Sequence, residues 1–95
     1  MQTFHWSRKL LGRTISYSVQ AEENTETKLL CISVSCLQPK LLFDMLSTTP
    51  QLMGKQLLNL AMDAAHQVRL HSLLLDISSF SYTEKRVNLS ARFAF

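Results

Sequence analysis

The sequence predicts an α+β domain: a four-stranded, mainly antiparallel sheet with one long helix packed on one face, in the order β-β-α-β-β. Three observations predict it. Residues 13–37 and 72–95 mostly alternate apolar and polar side chains, as half-buried strands do. Between them, residues 49–70 repeat apolar residues at the helical period. Only two Gly and two Pro occur in 95 residues, which argues against long irregular loops. The length sets a single domain over residues 1–95, large enough for one two-layer core.

Residues 1–12 are ambiguous. Phe4 and Trp6 alternate as in a strand, whereas Trp6 and Leu10 also suit one side of a short helix. We expect an N-terminal arm that tucks its aromatic groups onto the core. The alternation is strict over Arg13–Ala21, with Ile15, Tyr17, Val19 and Ala21 on one face and Thr14, Ser16, Ser18 and Gln20 on the other. The acidic stretch Glu22–Glu26 reads as a hairpin loop. Lys28–Leu37 alternates again, turning Leu30, Ile32, Val34 and Cys36 one way and Cys31, Ser33 and Ser35 the other. Pro39 ends that strand, since it has no N–H to give a ladder.

Leu42, Phe43 and Leu46 fall at helical spacing and predict a short helical turn over residues 40–47. The long helix follows. Thr49 suits its N-cap, and Pro50 its first position, where a missing N–H costs nothing. Met53, Leu57, Leu60, Ala61, Ala64 and Val68 form its apolar face. Gly54 in an early turn marks a place where another element approaches closely. Ser72–Tyr82 carries Leu73, Leu75 and Ile77 on one face, but Phe80 and Tyr82 have the opposite parity. A β-bulge or bend near Ser78-Ser79 is therefore expected. After a turn at residues 83–85, Val87, Leu89, Ala91, Phe93 and Phe95 alternate with Asn88, Ser90, Arg92 and Ala94 in a last paired strand.

Several chemistries find no support. Cys31 and Cys36 lie five apart on one strand and so point to opposite faces, which sets them against a mutual disulfide and a shared metal site. His66 and His71 are five apart on or just past a helix, roughly 140° out of phase. No Gly-rich phosphate loop or Gly-x-Ser-x-Gly elbow is present. Two free thiols, no visible signal peptide and no run long enough to span a bilayer point to a cytoplasmic protein away from the membrane. We expect no catalytic residues, cofactor or metal.

The uncovered sheet face carries small neutral side chains, where a solvated face often carries Lys, Glu and Thr. Ser16, Ser18, Ser33, Ser35, Asn88, Ser90 and Arg92 mark it as a surface on which another molecule can lie flat. Asp76 interrupts an apolar run and is expected there with Leu74, within reach of Arg92 or Arg13. The expected function is non-enzymatic: a protein-interaction or assembly module acting as a homodimer or with another protein, through this face or an edge strand. The alternative is a weak nucleic-acid-binding or regulatory module. It would use Arg8, Lys9, Arg13, Lys85, Arg86 and Arg92, with the net charge of +3.

Overall fold

From residue 13 on the expected order β-β-α-β-β holds, as does the helix-on-sheet arrangement, but a further strand precedes them, so the sheet has five strands rather than four. The computed structural model describes residues 2–10, 13–37, 50–83 and 85–95. The expected helical turn at Leu42, Phe43 and Leu46 lies outside the described residues, as does Thr49. Strands β2 (Arg13–Asn24) and β3 (Leu29–Leu37) form the first hairpin. Helix α1 (Pro50–Val68) follows, then strands β4 (Leu73–Tyr82) and β5 (Arg86–Ala94). The ambiguous N-terminal stretch is also a strand, β1 (Gln2–Leu10), antiparallel to β2. Among the described residues the five strands make one antiparallel sheet in the order β1-β2-β3-β5-β4. Its two edges are β1 and β4.

The core follows the alternation. β2 contributes Tyr17, Val19 and Ala21; β3 contributes Leu30, Ile32, Val34 and Cys36; β5 contributes Val87, Leu89, Ala91 and Phe93. From α1 come Met53, Leu57, Ala61 and Ala64, with Ala65 added, while Leu60 and Val68 are half-buried at the margin. β4 supplies none of the fully buried residues. Simple dimensions explain this. Five strands spaced about 4.8 Å apart present a face about 19 Å across. One helix with its side chains is only about 10–12 Å wide. It covers the central strands and cannot cover both edges.

Two local features differ from expectation. β2 runs on to Asn24, so the loop is Thr25–Lys28 rather than Glu22–Glu26. The Asn24 side chain makes this short turn: its Oδ1 accepts from the N–H groups of Glu26 at 3.0 Å and Thr27 at 3.2 Å. Lys28 closes it in the left-handed region, at φ 57°. Its carbonyl oxygen accepts the N–H of Phe95 at 3.1 Å, which ties the turn to the end of β5.

The second difference is in β4. Its phase shifts twice against β5, once between Leu74 and Asp76 and once between Ile77 and Ser79. The expected bulge near Ser78 is present, and a second occurs at Leu75. The two extra residues change the faces. Leu74, Ile77, Phe80 and Tyr82 oppose the core residues Phe93, Ala91, Leu89 and Val87 and so share the helix side. Leu73 and Asp76 oppose Ala94 and Arg92 on the other side. The expected set Leu73, Leu75 and Ile77 is therefore not a face, and Leu74 does not accompany Asp76.

Candidate functional site

The sequence builds β4 as an apolar strand, and the fold then leaves it uncovered. Leu73 is 72% exposed, Leu75 53%, Ile77 48%, Phe80 42% and Leu74 39%. Single exposed apolar side chains are ordinary, but Leu74, Ile77 and Phe80 share the helix side of an open edge and form a patch. α1 lies close enough to β4 to make a groove rather than a second core layer. Leu52, Gly54 and Leu58 form one wall, Ile77 and Phe80 the other, and Leu89 is at the floor. The groove encloses about 640 Å³.

Gly54 shapes this groove. A Cβ at that position would lie 3.7 Å from Cε1 and Cζ of Phe80, an ordinary van der Waals separation. Phe80 is the element that approaches the helix there. The sequence showed the parity break in β4 but not which residues it turned toward α1. The usable signal was the equal spacing of Leu74, Ile77 and Phe80.

The opposite sheet face gathers the serine-rich set into cross-strand rows. Ser18, Ser35, Asn88 and Ser81 lie in one row, and Gln20, Ser33, Ser90 and Ser79 in the next. Glu22, Cys31, Arg92 and Asp76 form a third. Ser16 lies on β2 two residues before Ser18 and is exposed. Ser18, Ser33, Ser35, Asn88 and Ser90 are half-buried around a shallow hollow of about 300 Å³. Hydroxyls partly serve one another: Ser33 and Ser90 bond through their Oγ atoms at 3.0 Å, and Ser78 Oγ donates to the Ser90 carbonyl at 3.1 Å.

Arg92 is committed to Asp76. Its Nε donates to Asp76 Oδ1 at 2.8 Å, and its Nη2 donates to Oδ2. These hydrogen bonds, aided by the arginine charge, hold the exposed Asp76 carboxyl below its usual range. Of the two partners expected for Asp76, the structure selects Arg92.

The remaining candidates are scattered. Cys31 is exposed and Cys36 buried, on opposite faces as alternation requires. Burial pushes the Cys36 thiol up to about 11. His66 and His71 are exposed. Among the described residues no three of His, Cys, Asp and Glu come together as a metal-binding group. No helix of the described residues is long and apolar enough to cross a membrane. The sheet register sorts the basic residues: Arg8 and Lys9 on β1, Arg13 at the start of β2, and Lys85-Arg86 at the start of β5 all fall toward one end. Arg92 lies toward the other.

The fold defines the chain as a two-layer α+β protein in which, among the described residues, the apolar edge strand β4 lies outside the core. No family model, curated protein or solved structure matches it.

Proposed function

We propose that this chain is a non-enzymatic protein-association module that pairs with a second copy of itself, using β4 and the groove beside it. The observation that carries the reading is the apolar edge strand left outside the core. An open strand of this kind offers unpaired backbone groups and apolar side chains together. A small domain also gains stability by burying further surface in an oligomer. A reducing, cytoplasmic setting accords with two cysteines held on opposite faces of one strand. The serine-rich face is the less favoured surface, because part of its hydroxyl set is bonded internally.

Light scattering after size exclusion tests the reading. The expected result is twice the chain mass, reverting to the monomer in Phe80→Lys and unchanged in Ser33→Arg. A monomer at high concentration overturns it. Loss of the dimer in Ser33→Arg but not in Phe80→Lys moves the surface to the serine-rich face.

A second reading is favoured by the gathering of Arg8, Lys9, Arg13, Lys85 and Arg86 at one sheet end. It is a weak nucleic-acid contact through phosphates. Binding to mixed-sequence DNA must then fall steeply with added salt. Binding indifferent to salt removes this reading.

A further inference from the structure

We propose that the second copy joins β4 edge to edge, antiparallel, in a single register with a twofold axis at Ile77. The inference rests on the association reading above and adds the geometry of the contact.

The two bulges carry the argument. In a regular strand, same-face residues are two apart. In β4 the helix-side residues Leu74, Ile77 and Phe80 are three apart, because Leu75 and Ser78 are extra. A regular strand laid along this edge would agree in face at one end and disagree at the other. Bulges ordinarily discourage edge pairing for this reason. A second β4 carries the same irregularity. Turned about Ile77, it sets Leu74 opposite Phe80 of the second copy and Phe80 opposite Leu74 of the second copy. Ile77 meets its own equivalent. Leu73 and Ser81, both on the other side of the sheet, also oppose each other.

Other registers do worse. A shift of one residue sets Leu74 against Ser79 and Leu73 against Phe80, on opposite faces in both cases. A shift of two sets Leu74 against the bulged Ser78. An axis between Ser78 and Ser79 matches Ile77 with Phe80 but leaves Leu74 opposite Thr83, beyond the strand. The register centred on Ile77 matches every helix-side residue from Leu74 to Phe80, and it confines the bulged Leu75 and Ser78 to positions opposite the outer-side Ser79 and Asp76. This self-matching order selects a second copy over an unrelated strand. An isologous interface requires the same symmetry. The helix-side residues then extend the apolar floor beside the groove across the axis.

Site-directed cross-linking of the full chain tests the register, in a background with exposed Cys31→Ser. Directly opposed residues have Cα atoms about 4.5–5.5 Å apart, within the span of a disulfide. Ile77→Cys alone is expected to cross-link under mild oxidation. Leu74→Cys and Phe80→Cys are each expected to stay single, since their own equivalents would be roughly 20 Å apart. Mixed together, they should cross-link at least about tenfold faster than either alone. A dimer in which Ile77→Cys fails to cross-link, or Leu74→Cys links to itself, overturns the register and leaves the association reading standing. A monomer overturns both.

Discussion

Arg92 and Asp76 face each other across the β4–β5 ladder, and the guanidinium grips both carboxylate oxygens. The pair sits just past the first bulge and pins the bulged strand to its neighbour. Because the folded carboxyl titrates below the unfolded one, its contribution is fully present above the unfolded value of about 3.9. It is lost as pH falls through the lowered folded value. Asp76→Asn should therefore destabilise the chain at pH 7, and the difference from the parent should vanish in strong acid. Both groups are exposed, so the effect should be small and weaken with salt. Urea denaturation at neutral and acid pH measures it.

Gly54 is a different kind of weak point. It is half-buried within α1, where glycine costs about 0.5–1 kcal/mol relative to alanine. The added methyl would meet Phe80 at an ordinary contact distance. Gly54→Ala should raise stability by roughly that amount, read as a shift of the urea midpoint at unchanged slope.

The two classes of leucine should separate sharply. Leu57 is fully buried between α1 and the sheet, and Leu57→Ala should cost about 2–5 kcal/mol. Leu73 is on the open edge, and Leu73→Ala should change the stability of the isolated monomer by no more than about 0.5 kcal/mol. Equilibrium unfolding of both variants at low concentration checks the contrast.

The cysteines provide a third contrast. Cys31 should react promptly with a thiol reagent, whereas Cys36 should react only as fast as the domain opens. The Cys36 thiol stays protonated in the fold up to about 11, against 9.0 as its reference value. Stability is therefore unaffected by this group below 9.0 and is lost as pH rises toward 11. Cys36→Ala should abolish that part of the alkaline loss.

Much of the fold was legible because burial and period agree. Val19, Leu30, Ile32, Leu57 and Leu89 all lie where alternation or helical spacing sets them. The serine rows were legible for the same reason, as were the opposed faces of Cys31 and Cys36. β1 was not, because its two aromatic residues fit two periods and only pairing with β2 chooses between them. The exposed patch was hidden for another reason. Apolar residues on β4 look like core, and only the width of one helix against five strands reveals that they are left over. The loop boundary turned on one side chain, Asn24, whose turn-forming bonds let β2 run three residues further than expected, through Glu22 and Glu23.

The double bulge gives β4 something like a reading frame. Without Leu75 and Ser78, the run Leu74-Asp76-Ile77-Ser79-Phe80-Ser81-Tyr82 alternates perfectly between the two sides of the sheet. Each extra residue is absorbed by its own bulge, so the strand stays in phase with β5 before, between and after the two. Deleting either one should remove one bulge and leave the other residues on their present faces, so the two single deletions should perturb folding no more than the double one, as thermal melting of the three chains would show. The double deletion would leave a plain edge, open to any extended chain that met it. With its two extra residues in place, this apolar border does not offer the plain, regular ladder that a passing extended chain would match.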